Sequence, residues 1–158
     1  MQPHTELPTD LEILPLEPSD LPDALSLQKM AFMTEAIRYD DYRLSPLEER
    51  FAAFAQEFRV KTFLQARLEG GIVGLIRGFV RDGTGFVERL SVHPAHRGRG
   101  IGAALVRALE AALGTPRFEL FTAQRSADNI RLYESLGYRC FNHRARDASI
   151  PLVLMEKS

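Results

Sequence analysis

Leu90-Ser91-Val92-His93-Pro94-Ala95-His96-Arg97-Gly98-Arg99-Gly100-Ile101-Gly102 reads as an apolar strand that stops at a proline, a loop of arginines and glycines, and the opening of a helix. Glycines at 98, 100 and 102 carry no Cβ, so the backbone there can approach a ligand and turn several N–H groups towards one point. Ile101, Leu105, Leu109, Ala112 and Leu113 then recur at helical spacing, the pattern of an amphipathic helix. Such a helix presents its unpaired first N–H groups and the positive end of its dipole to the loop. The stretch is therefore an anion site, and phosphate suits it.

Before this stretch the period is two. Residues 62–68 and 72–80 alternate on either side of Glu69-Gly70-Gly71, and Arg81-Asp82-Gly83-Thr84-Gly85 separates them from the strand over 86–92. Three strands joined by tight turns predict an antiparallel meander. After the stretch, Gly114 and Pro116 end the helix, and 118–122 is a strand parallel to 86–92 because a helix separates the two. Ser126-Ala127-Asp128-Asn129 caps a short helix over 130–136 that stops at Gly137, and strands over 138–143 and 150–155 complete the chain.

Towards the N-terminus, residues 1–10 read as a flexible tail and 11–16 as a first strand. Pro18-Ser19-Asp20 opens a helix running from Leu21 to residue 38, and Ser45-Pro46 opens one further helix carrying Phe51, Phe54, Ala55 and Phe58 on one face. The order predicts a single mixed α+β domain over 11–158. Its centre is a mostly antiparallel sheet of about 6–7 strands, with helices on both faces.

A chain of 158 residues with 45% hydrophobic and 26% charged residues suits one well-cored domain. A net charge of -1 gives no electrostatic case for a nucleic-acid or membrane-surface partner. With Cys140 the only cysteine, no intramolecular disulfide or Cys-based metal site is available, which fits a cytoplasmic protein. Cys140 is expected to fill core space on its strand. His4, His93, His96 and His143 lack metal-ligand spacing, so no metal is expected. The N-terminus lacks a signal-peptide pattern, and no apolar run is long enough to predict a membrane span.

Gly98-Arg99-Gly100-Ile101-Gly102-Ala103 also satisfies the G-x-G-x-x-A form of the dinucleotide fingerprint. That fingerprint places its first glycine directly after the strand, whereas His93-Pro94-Ala95-His96-Arg97 intervene here, and too little chain remains for a doubly wound sheet. An RNA-binding patch is disfavoured because no aromatics interleave the basic residues. Arg97-Gly98-Arg99-Gly100-Ile101-Gly102 instead resembles the R/Q-x-x-G-x-G/A signature of the GNAT superfamily of acyl-CoA-dependent N-acyltransferases, with the expected strand and Pro94 before it. Asn129-Ile130-Arg131-Leu132-Tyr133-Glu134-Ser135-Leu136-Gly137-Tyr138 is similar to that superfamily's N-x-x-x-x-Y-x-x-x-G-F/Y segment, in the right order and after a strand.

The resemblance implies an N-acetyltransferase with acetyl-CoA as cosubstrate and direct transfer in a ternary complex. The N–H groups of Gly98, Arg99, Gly100, Ile101, Gly102 and Ala103 would hold the pyrophosphate, with Arg97 and Arg99 adding charge, the latter at the ribose phosphate. The pantetheine arm would lie where the strands of Leu90-Ser91-Val92 and 119–122 splay apart. Backbone groups of Leu90 and Val92 would pair with its amides, and this backbone would also stabilise the oxyanion. The same resemblance makes Tyr133 the acid for the leaving thiolate and Asn129 a pantetheine contact. From the residues alone, Tyr133 could instead pack on the sheet and Asn129 could cap its helix.

Alternation along the strand places Phe86, Glu88, Leu90 and Val92 on one face. Glu88 is then a lone carboxylate among apolar side chains, suited to act as the base that deprotonates an amine; the alternative is an ion pair with a neighbouring arginine such as Arg77. Glu35, Tyr39, Asp40 and Asp41 crowd the end of the first long helix and the loop after it. In the superfamily this region overhangs the acceptor cleft, where acidic side chains attract a cationic amine. A solvated helix end is the plainer reading. The function expected is acetyl transfer to a primary amine of a small molecule. A peptide or protein acceptor, or a non-catalytic acyl-CoA sensor, is the alternative, and a homodimer is compatible with the sequence.

Overall fold

The change from a period of two to a helical period is realised as a sheet covered on both faces. The computed structural model describes residues 6–40, 42, 44–146 and 150–158. In chain order the elements are β1 (Glu12–Pro15), α1 (Leu21–Tyr39), α2 (Ser45–Glu48), α3 (Phe51–Val60), β2 (Thr62–Leu68), β3 (Gly71–Arg81) and β4 (Thr84–Val92). There follow α4 (Ile101–Leu113), β5 (Arg117–Ala123), α5 (Ala127–Ser135), β6 (Arg139–Arg146) and β7 (Ile150–Lys157). The described residues form one 7-stranded sheet in the order β1-β2-β3-β4-β5-β7-β6. Every neighbouring pair is antiparallel except β4 and β5, which are joined through α4 and run parallel. This is the mixed α+β architecture read from the sequence.

On one face α4 packs against β2, β3 and β4. It buries Ile101, Leu105, Val106 and Leu109, each contributing roughly 1.5–3 kcal/mol by leaving water. Ala112, expected in this row, is exposed, because the buried stripe turns towards Val106 instead. A Cβ on Gly78 of β3 would lie 2.4 Å from the Phe86 carbonyl and 2.9 Å from Leu109 Cδ2, so glycine is what lets α4 settle this close. On the other face Leu21, Leu25, Phe54, Phe63 and Leu75 form a second cluster under α1 and α3. The rings of Phe54 and Phe63 meet edge to face at 5.4 Å.

Two further expectations fail for identifiable reasons. The helix starting at Ser45 does not continue through Phe58; it breaks after Glu48, where Glu49 adopts extended backbone (φ −60, ψ 121), and α3 starts afresh at Phe51. The break lets the Glu49 carboxylate drop onto the buried Arg77 guanidinium, with contacts of 3.0 and 3.2 Å, and a buried cation demands such a partner. Cys140 is exposed rather than in the core, on strand β6 at the edge of the sheet, with Sγ 3.7 Å from His143 Nε2. Residues 1–5 of the expected tail lie outside the described residues; Leu7 sits close enough to Gly100 that a Cβ there would lie 3.4 Å from Leu7 Cδ2. Among the described residues no helix is long and apolar enough to cross a membrane.

Candidate active site

β4 and β5 pair only where Thr84, Gly85 and Phe86 meet Arg117, Phe118 and Glu119. Beyond Phe86 they diverge, and the edge of β4 that faces β5 is left without a strand partner. A bulge lies on the diverging segment: Leu75 pairs with Ser91 and Arg77 with Glu88, so both Arg89 and Leu90 stand opposite Ile76. Arg89 has φ 54, the left-handed region that a bulge residue takes when one extra residue must fit. A bulge bends its strand and sharpens its twist, which is the local cause of the splay.

The bulge corrects the face assignment made from alternation. Leu90 and Val92 turn towards α4, since a Cβ on Gly102 would lie 3.5 Å from Leu90 Cδ2 and 3.8 Å from Val92 Cγ2. Glu88 stays on the opposite side of the sheet, with Oε1 2.5 Å from Lys61 Nζ and 4.0 Å from Arg77 Nε. It is thus an engaged carboxylate and not a lone one. Arg77 spends its two terminal nitrogens on Glu49, which also accepts from Gln28 at 2.9 Å and from Arg89 at 3.3 Å. Burial works against the Glu49 charge, but the bonds from Arg77 and Gln28 outweigh it and hold the carboxyl below its ordinary range. An arginine in the middle of an otherwise apolar strand was the sequence signal for this network. Which carboxylate would reach it could not be read from spacing.

Bounded by α1, the end of β4, the loop before α4 and the start of α5 lies a cavity of about 390 Å³. Its floor is Leu90 and Val92, one end is the loop of Gly98, Gly100, Ile101, Gly102 and Ala103, and Asn129 of α5 borders the other side. Gly98 and Gly100 have φ of 74 and 83, which non-glycine residues rarely adopt; Gly102 is ordinary helix and needs glycine less. No side chain caps α4, and the first of its regular bonds runs from Ala104 N–H to Gly100 O at 3.1 Å. The N–H groups before it line the end of the cavity, and a pyrophosphate fits that donor set.

A second cavity of about 140 Å³ shares Phe32, Glu35, Leu90 and Asn129 with the first. Glu88, Arg89 and Tyr133 also line it, and Leu44-Ser45-Pro46 reaches it from α2 and the residue before it. A profile of the acetyltransferase (GNAT) family matches residues 27–138, from α1 to the end of the Asn129–Tyr138 segment. The chain belongs to this family.

Solved structures share the fold. The ribosomal-protein-S18-alanine N-acetyltransferase of Escherichia coli aligns with a TM-score of 0.76 and 22% identity, over 93% of this chain and 92% of that one. The PaiA N-acetyltransferase of Thermoplasma acidophilum, in complex with coenzyme A, gives 0.77 and 18%, over 94% and 98%. A spermidine N-acetyltransferase chimera from Vibrio cholerae and hSSAT gives 0.73 and 17%, over 94% and 95%. At these identities the likeness is one of fold. Family membership makes this GNAT chain an acyl-CoA-dependent acetyltransferase with acetyl-CoA as its cosubstrate.

Within this GNAT site the expected residues are not all brought together. Tyr133 is buried on α5 with its ring 5.9 Å from that of Tyr138, and it borders the smaller cavity, so packing against the core and access to the cleft coexist. Burial pushes its hydroxyl well above the usual tyrosine range, which keeps the proton on oxygen. Asn129 lies within α5, whose N-cap is Ser126, so capping is not its task. Arg97 reaches across the larger cavity to α1, donating to Ala31 O at 2.8 Å and Thr34 Oγ1 at 3.0 Å. Arg99 turns to His96 Nδ1 at 3.3 Å and lies outside the lining, as does the buried Ser91, whose hydroxyl donates to the Arg89 carbonyl. Of the acidic group, Glu35 borders both cavities; Asp40 ends α1 in a left-handed conformation and borders neither. The Tyr39 side chain and Asp41 lie outside the described residues.

Proposed function

We propose that the chain transfers an acetyl group from acetyl-CoA to a primary amine of a small molecule, by direct attack in a ternary complex. One observation carries this reading: a cavity of about 140 Å³, bordered by two carboxylates and a buried phenol, opens directly off the cavity that suits the acyl donor. Donor and acceptor can thus meet without a covalent enzyme intermediate, and holding them together removes much of the entropic cost of the encounter.

In this reading the N–H groups of residues 98–103 hold the pyrophosphate, and the unpaired edge of β4 around Leu90 and Val92 binds the pantetheine amides and the oxyanion. The thioester supplies an activated acyl carbon. An amine is mostly protonated at neutral pH, with a pKa of about 10, so one of the two carboxylates must take a proton before attack. Tyr133, kept protonated by its burial and bordering the smaller cavity, returns a proton to the leaving thiolate. Leu44-Ser45-Pro46 restricts the smaller cavity, which favours a compact acceptor over a long peptide.

The test is release of free thiol from acetyl-CoA against polyamines, amino acids, aminoglycosides and short peptides. Turnover on one small amine class, with peptides inert, supports the proposal. Turnover on peptides alone makes the chain a peptide N-acetyltransferase, and tight acetyl-CoA binding without turnover on any acceptor makes it a sensor.

A further inference from the structure

Two carboxylates reach the smaller cavity, Glu88 from β4 and Glu35 from α1, and their surroundings differ. Glu88 is held by Lys61 at 2.5 Å, and Lys61 is itself 2.6 Å from Glu57 of α3. A carboxylate fixed by an ammonium in this way serves as a wall of the cavity. Glu35 has one oxygen occupied, with Oε1 accepting the Ser126 hydroxyl at 2.9 Å and lying 4.0 Å from Arg38 Nη1. Its Oε2 is buried and has no hydrogen-bond partner among the described residues. Buried acceptors are nearly always satisfied, so the orphaned oxygen leaves the Glu35 carboxylate with unspent accepting capacity at the border of both cavities.

The position of Glu35 adds a second, independent observation. Phe32, Glu35, Leu90 and Asn129 border both cavities, and among these four Glu35 alone has a side chain that can exchange a proton. Acyl donor and acceptor must meet at that junction. Glu88 borders the smaller cavity only.

We infer that Glu35, and not Glu88, receives the acceptor amine and takes its proton. The inference rests on the amine-transfer reading above and settles which of its two carboxylates acts. The incoming ammonium donates an N–H to the Glu35 carboxylate, and Glu35 accepts that proton to become a carboxylic acid. The freed lone pair attacks the thioester carbonyl carbon, and the carbon–sulfur bond breaks. Tyr133 gives its phenolic proton to the departing sulfur and is reprotonated by the second proton lost from nitrogen. Glu35 then releases its proton to solvent. Ammonium and thioester have become amide, thiol and one proton.

The charged and titratable groups around Glu35 come from every neighbouring element. Arg38 lies on its own helix, and the start of α5 brings Asp128. The loop before α4 brings His96 and Arg97, the latter bonded to α1 at Ala31 and Thr34. β4 brings Glu88 and Arg89, and α5 brings Tyr133.

The experiment measures kcat/KM against pH for wild type, E35Q, E35D and E88Q with the best amine of the acceptor panel. E35Q is expected to fall about 100- to 1,000-fold and to lose the acid-side limb, with acetyl-CoA affinity within about twofold. E35D, which restores a carboxylate, is expected to recover at least about tenfold of that loss and the limb with it; E88Q keeps the limb and falls less than about tenfold. Loss of the limb in E88Q, or a slow E35Q that retains it, overturns the assignment. If wild type acetylates no amine, the amine-transfer reading fails, and calorimetric titration of n-butylamine into the CoA-loaded protein judges Glu35 separately. Binding that weakens at least about tenfold in E35Q keeps Glu35 as the partner of the amine, whereas equal binding, or none to wild type, overturns it.

Discussion

The loop between β4 and α4 offers a ligand backbone N–H groups set by two left-handed glycines, whereas the facing wall offers side chains drawn from α1, β4 and α5. Beneath that wall lies a buried ionic network in which Gln28, Arg77 and Arg89 converge on Glu49. The proposed donor end is local: residues within one turn of chain make it, and α4 holds it. The proposed acceptor end is assembled from segments far apart in sequence. Damage to the first should therefore weaken donor binding with little change in folding, and damage to the second should reach stability and chemistry.

The largest effect separating the two ends is expected at Arg77. Arg77→Leu leaves Glu49 buried without its bidentate partner and should cost about 3–5 kcal/mol in urea unfolding. Arg117→Leu, on more exposed pairs with Glu119 and Glu156, should cost clearly less. Equal losses at the two sites would show that the acceptor wall does not depend on the buried network.

The same network sets a pH dependence. Glu49 ionises more readily in the folded chain than unfolded, so its contribution is present above the unfolded value of about 4.3 and is lost as pH falls through the folded one. Wild type should lose unfolding free energy more steeply on acidification below that pH than Glu49→Gln. Parallel curves would remove Glu49 from the account.

Tyr133→Phe should lower kcat about 100-fold while acetyl-CoA affinity, by calorimetry, stays within about twofold. A matching loss of affinity would make Tyr133 a packing residue and blur the division between the ends. The smallest effect is at Gly100, where alanine must adopt φ 83. A strain of about 1–2 kcal/mol should raise the acetyl-CoA Kd about tenfold, with urea unfolding changed by less than that strain if the loop relaxes. Unchanged affinity would mean that the loop backbone does not hold the donor.

Legibility followed the same division. The strand, the glycine loop and the helix after it were readable because each depends on neighbours in sequence, and the segment from Asn129 to Tyr138 likewise appears on one helix and the turn after it. Glu88 was misplaced because alternation assumes an unbroken strand, and nothing in Arg89 or Leu90 announces a bulge. Glu49 went unnoticed because it looked like one more polar helix residue; only the proximity of Arg77 from β3 gives it a task.

The sequence by itself determined the alternating meander, the parallel crossover through α4 and the glycine loop before that helix, since periodicity and glycine geometry act over a few residues. Tertiary structure alone decided which carboxylates are paired and which is left with an open oxygen. Pairing in a low-dielectric interior depends on distances of a few ångströms between side chains that are tens of residues apart along the chain.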